Sequence, residues 1–151
     1  MRELDARGIE YTPHWYAHKK GDSVDGLSVC DSLGLPYQQV FKTLVTQANT
    51  GEHIVYMIPV DEELDLKKCA SAAHVKSVQM IPMKQLTNIT GYIRGGCSPI
   101  KMKKQFPTYL DERALNHATI YFSAGKIGSQ IECDPNDLIQ ILSYIKADLV
   151  K

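Results

Sequence analysis

The sequence predicts an α/β fold, a single domain built on a mixed, largely antiparallel sheet with flanking helices. Three observations predict it. Runs of β-branched and aromatic residues recur along the chain, at 40–46, 54–59, 118–122 and 129–133. Helix signals fall between them, with Ser, Asp or Pro ahead of an apolar stripe and, at Gly34, a glycine behind it. The length, 151 residues, suits one domain with a sizeable core.

Taken in order, residues 1–7 suit a short helix stopped by Gly8, and Ile9, Glu10, Tyr11 and Thr12 a first strand that Pro13 interrupts. If the next stretch is extended, Tyr16 lies between His14 and His18 on one face. A metal reading would use those two histidines, but no nearby carboxylate or third histidine completes a set. Residues 19–25 form a polar loop able to act as a lid. Ser23 or Asp25 then caps a helix through Leu27, Val29, Cys30 and Leu33, with Gly34 as its stop and Pro36 beyond.

The strand at 40–46 places Val40, Lys42, Leu44 and Thr46 on one face and Phe41, Thr43 and Val45 on the other. Lys42 therefore sits among apolar neighbours, and two explanations are open. Its stem packs on apolar surface with the ammonium in water, or the ammonium projects into a pocket toward an anion or carbonyl. A turn at 49–52 leads into an apolar strand at 54–59, which pairs back as an antiparallel hairpin.

An acidic run, Asp61, Glu62, Glu63 and Asp65, opens a helix over 64–73 whose buried stripe is Leu66, Cys69, Ala70 and Ala73. A short strand at 75–80 and a helical turn at 83–86 after Pro82 follow. Residues 106–110 enter a strand, 111–115 a short helix, and 118–122 a further strand that turns through Gly125 and Gly128 into the strand at 129–133. Asp134 caps the last helix, with Pro135 in its first position and Leu138, Ile141, Leu142, Ile145 and Leu149 as its core-facing stripe.

Composition narrows the function. Lys plus Arg and Asp plus Glu each number 17, so the overall field does not draw in nucleic acid, and contact with a polyanion has to come from a local patch. Arg94, Lys101, Lys103 and Lys104 form that patch, a loop that is either simply solvated or meets a sugar-phosphate backbone. No apolar run reaches the roughly 20 residues that span a bilayer, and the first five residues lack a secretion signal's apolar centre, so a cytoplasmic protein without membrane contact is expected. Cys30, Cys69, Cys97 and Cys133 are far apart and read as reduced thiols, with no zinc or redox motif.

The stretch from Gly91 to Pro99 is the other place where chemistry could sit. Gly95 and Gly96 let the backbone approach a ligand where a β-carbon would collide, so that peptide N–H groups can aim at a carbonyl oxygen or phosphate; a plain tight turn is the competing reading.

With these parts in place, the chain resembles the YbaK family of free-standing aminoacyl-tRNA deacylases, relatives of the editing domain inserted in bacterial prolyl-tRNA synthetases. The matching blocks are Val40-Phe41-Lys42-Thr43-Leu44, Leu64-Asp65-Leu66-Lys67-Lys68, Gly91-Tyr92, Gly95-Gly96 with Ser98-Pro99, Lys103-Lys104 before a Pro-Thr pair, and Ala118-Thr119-Ile120-Tyr121 leading into Gly125-Lys126. The likeness runs from Tyr11 to Leu149 and implies a curved, barrel-like mixed sheet. It also implies hydrolysis of the ester joining a wrong amino acid to tRNA, most typically cysteine on the proline tRNA, with no metal, cofactor or triad. Alanine or another small residue remains an alternative substrate.

The resemblance makes Lys42 the essential lysine, favouring the pocket explanation, and Gly95 and Gly96 the catalytic loop. Tyr16 shapes the site. Ser98 is a hydrogen-bonding group there or merely closes a turn, and Cys97 stands where the family commonly has an apolar residue. In the cysteine-specific branch the substrate's own thiol closes on the ester carbonyl. Relatives often carry an acidic residue where this chain has Gln130, with Glu132 two positions on along the same strand face and able to compensate. A neutral amide at 130 also motivates a different class of function, a non-catalytic module that binds an aminoacyl end or free amino acid. The neutral net charge suggests that a synthetase partner, prolyl-tRNA synthetase by resemblance, helps retain the tRNA. Oligomeric state is not legible.

Overall fold

The centre of the computed structural model is a hairpin of two long strands, β2 (Phe41–Ala48) and β3 (His53–Pro59), paired antiparallel with Val45 opposite Val55. The structure describes residues 4, 8–16, 26–91, 98, 106–125 and 128–151. From Ile54 onward β3 is buried on both faces, as its unbroken apolar sequence requires of a central strand. Four further strands matter to the same sheet or its neighbour: β4 (Val78–Met80), β5 (Thr108–Asp111), β6 (Ile120–Ser123) and β7 (Ser129–Cys133). With β1 (Tyr11–Trp15) and β8 (Ile145–Ala147), the described strands make a five-stranded sheet in the order β4-β2-β3-β5-β8 and a three-stranded sheet in the order β1-β7-β6.

The pairings at β3–β5 and β5–β8 are parallel and the rest antiparallel, so the sheet is mixed and largely antiparallel, as expected. The barrel is not closed by a continuous ladder. The two sheets touch where Val40 bridges Tyr121 in parallel. Helix α1 (Gly26–Leu33), ended by Gly34 at φ 67°, covers that seam through Cys30, which packs with Val40, Val60 and Tyr121. On one side of the hairpin Phe41 and Met57 join Leu110, Phe122, Ile131 and Leu138 in a core; on the other, Tyr56 and Ile58 pack on Cys69 and Ala70 of α2 (Leu66–Ala72).

Four local expectations are corrected. Pro13 does not end the first strand; β1 is the outer strand of its sheet, where a missing N–H is tolerated. Leu66 is 40% exposed, because Asp65 caps the helix through the N–H groups of Lys67 and Lys68 and so leaves Leu66 in the outward first position. The turn after Pro82 is a full helix, α3 (Met83–Thr90). The last helix, α4 (Pro135–Gln140), is capped by Asp134 but stops early: Ser143 takes φ 61° and residues 145–147 become β8 beside β5. Ile141 and Ile145 are consequently exposed, while Leu149 reaches the core from the end of a strand.

Candidate functional site

Residues opposite one another in a ladder share a face. Across β6, β7 and β1 the registers align Ser123, Gln130 and His14 in one row and Tyr121, Glu132 and Thr12 in the next. The amide of Tyr16 donates to the carbonyl of Gly128 at 3.0 Å, continuing the β1–β7 pairing and, by alternation, keeping Tyr16 on the face of His14. The Val40–Tyr121 bridge joins β2 to this face, and Lys42, two residues beyond Val40, follows on it. Three strands, with β7 more than 80 residues beyond the other two in sequence, thus bring Lys42, Gln130, Glu132 and His14 to a common surface.

Lys42 stands opposite Ile58 and is half-buried. Loss of hydration pulls its ammonium below the ordinary lysine range, against the opposing pull of Glu63, Asp61 and Glu62. Among the described residues none forms an ion pair or hydrogen bond with its Nζ. A partly dried ammonium without a fixed partner attracts any ligand anion or carbonyl oxygen that enters.

Gln130 is 5% exposed, and its Oε1 has no hydrogen-bond partner among the described residues. An unmet buried carbonyl costs about 1–3 kcal/mol until a donor arrives, so this oxygen is suited to a ligand N–H or O–H. Glu132 is already engaged. Its carboxylate accepts from the Thr119 hydroxyl and from His14 Nε2 at 2.9 Å. Those bonds, Thr119's first, hold it below the usual glutamate range against the cost of burial. Thr119 is itself fixed by Gln39, whose Nε2 donates to its carbonyl at 2.9 Å. The His14 ring lies against that of Tyr121 with centroids 5.1 Å apart.

Ser98 is buried at 1% exposed. Arg94, Gly95, Gly96, Cys97, Lys101, Lys103 and Lys104 lie outside the described residues, as do His18 and the 19–25 loop. Cys30, Cys69 and Cys133 are buried free thiols pushed up to about 11, 12 and 12 by burial, which makes them poor nucleophiles. His14, a metal candidate by sequence, is instead bound to Glu132, and among the described residues no three acidic, Cys or His side chains gather as a metal site. The His14–Glu132 pair spans 118 residues of sequence, and no local pattern signals it.

A desolvated cation and a buried neutral acceptor on one sheet face define a class of protein that holds and polarises a polar substrate. The chain belongs to the aminoacyl-tRNA editing domain family, whose model matches residues 24–141. It is 46% identical to EbsC of Enterococcus faecalis, a proposed Cys-tRNA(Pro)/Cys-tRNA(Cys) deacylase, over 93% of this chain and 85% of that protein. A proline–tRNA ligase of Acidithiobacillus ferrooxidans is 30% identical over 63% of this chain, which spans 16% of the ligase. Among solved structures, hypothetical protein APE2540 superposes with a TM-score of 0.89 at 21% identity, covering 98% of this chain and 96% of that one. A proposed trans-editing enzyme for prolyl-tRNA synthetase does so at 0.82 and 20% identity, covering 99% and 93%. These two likenesses show the fold, and the family makes the chain an aminoacyl-tRNA deacylase.

Proposed function

We propose that this protein is a trans-editing hydrolase that releases the amino acid from mischarged tRNA, with Cys-tRNA(Pro) its leading substrate. The observation that carries the reading is Lys42, an ammonium stripped of part of its water and without a partner among the described residues. Such a charge positions the terminal phosphate or stabilises the ester carbonyl as it becomes an oxyanion, while N–H groups of Gly95 and Gly96 share that task. The substrate thiol attacks the carbonyl carbon, an S–C bond forms, and the C–O bond to the ribose breaks; water then opens the resulting thiolactone to free cysteine. In this scheme no step calls on a metal or cofactor.

Tyr16 and Ser98 shape the pocket, and Gln130 Oε1 accepts from the substrate ammonium. A neutral acceptor holds an ammonium less firmly than a carboxylate does, so alanine or another small residue on the tRNA stays a second substrate class. Arg94, Lys101, Lys103 and Lys104 bind the acceptor end, and a prolyl-tRNA synthetase partner retains the tRNA. Support for the cysteine reading comes from the activity proposed for the Enterococcus relative.

The test is deacylation of Cys-tRNA(Pro) and Ala-tRNA(Pro), with and without chelator, by the wild type and Lys42→Ala. We expect chelator-insensitive turnover of the cysteinyl substrate and a loss of at least about a hundredfold in the variant. Full activity in the variant removes the mechanism. Binding of aminoacyl-tRNA analogues without turnover would instead favour a sensing module, the reading that a neutral Gln130 supports.

A further inference from the structure

The scheme above leaves a proton unaccounted for: one must leave the attacking thiol and one must reach the departing ribose oxygen. Lys42 serves as a fixed charge, and the described cysteines are buried with raised thiols. His14 occupies the row of Gln130 on the same face, and its side chain is 31% exposed.

We propose that His14 carries this proton and that Glu132 is its positioning residue, an inference that rests on the deacylase reading. Glu132 is held below the usual glutamate range and is therefore an anion that can only accept; the bond at 2.9 Å accordingly assigns the ring proton to Nε2 of His14. In the neutral imidazole this tautomer leaves Nδ1 with its lone pair. The carboxylate is held from its other side, because Thr119 donates to it and Gln39 binds Thr119. Tyr121 packs against the imidazole at 5.1 Å and limits its tilt. Gln39, Thr119, Glu132 and His14 form one chain of hydrogen bonds ending at a basic nitrogen, the logic by which a carboxylate fixes the tautomer of a catalytic imidazole.

In the step itself, the S–H proton passes to Nδ1 as sulfur bonds to the carbonyl carbon. The ester C–O bond then breaks and Nδ1 returns the proton to the ribose oxygen, leaving His14 as it began. Glu132 stabilises the transient imidazolium without taking its proton.

The experiment measures kcat and KM for Cys-tRNA(Pro) with wild type, His14→Ala, His14→Gln and Glu132→Gln, with and without added imidazole. Expected are a fall in kcat of about a hundredfold or more for both His14 variants, near-constant KM, and recovery by imidazole in His14→Ala but not in wild type. Glu132→Gln should lose about tenfold or more in kcat at near-constant KM. The glutamine at 14 can still donate to Glu132 and covers the case in which the alanine variant does not fold. A folded His14→Gln with wild-type kcat, or a folded His14→Ala that imidazole does not revive, overturns the assignment. No turnover by wild type removes the deacylase reading as well; wild-type turnover undiminished in His14→Gln removes this proposal alone.

Discussion

At Lys42 stability and function pull in opposite directions. Burial lowers the lysine's affinity for its proton in the folded state, so the unfolded chain binds that proton more tightly. In the window between the depressed folded value and 10.5, stability therefore rises with pH. Lys42→Met keeps the stem and removes the charge, so its melting temperature should equal or exceed that of wild type and its alkaline pH dependence should flatten, even as deacylation is lost. Thermal melts across that window check the sign. Glu132 has the same sign at the acid end: its folded value is below 4.5, so its stabilisation is fully present above 4.5 and disappears as pH falls through the folded value. Glu132→Gln should lose that stabilisation at neutral pH and flatten the acid limb of the stability curve, read by circular dichroism melts across that range. Lys42 was legible as a residue of interest because a lysine breaks the apolar face of its strand. His14 was legible only as a metal candidate and its pairing was not, since its partner and the Gln39–Thr119 anchor come from distant parts of the chain.

Elements were read well where they carry their own punctuation and poorly where a neighbour decides. The β2–β3 hairpin has its turn residues and two long β-forming runs, and it stands where expected. Helix α4 has its cap and its Pro, but the apolar spacing that continued past Gln140 was equally compatible with a short strand reaching the core by another route. The edge of β5 decides between them, and a polar clamp secures the result. Asp111 is fully buried; its carboxylate accepts from the Arg113 amide at 3.0 Å, from Arg113 Nη1 at 3.2 Å and from the Leu149 amide at 3.0 Å. Asp148 joins the same Arg113 to Lys68. Asp111→Ala leaves the backbone N–H groups of Arg113 and Leu149 without their acceptor, with Asp148 as the carboxylate that remains on Arg113, and should cost about 3 kcal/mol in denaturant unfolding. Lys68→Ala, which removes a half-exposed partner, should cost clearly less. Equal effects would mean that the clamp does not hold β8.

On the scale of the whole molecule, curvature was anticipated, but the seam at Val40–Tyr121 depends on long-range twist that no local pattern encodes. The seam matters because it brings the lysine strand to the His14–Glu132 face, and it also bears on how tRNA approaches. Thr12, Thr119 and Glu132 line an open groove of about 1050 Å³ together with Glu10, Asp134 and Asp137. Asp134 and Glu10 add to burial in pushing the Asp137 carboxyl up, a sign of concentrated negative charge. A sugar-phosphate chain avoids such a wall, and with 17 cations against 17 anions no general attraction compensates. On the proposed function, binding energy comes from Arg94, Lys101, Lys103 and Lys104. If all four contact phosphates, the affinity for a non-hydrolysable aminoacyl-tRNA should fall with salt at a log–log slope of about −3. Replacing the three lysines with serine should reduce that slope to about −1, whereas Asp134→Asn by itself should bind close to wild type. A slope that survives the triple replacement would place the tRNA on another face and separate the basic segment from substrate recognition.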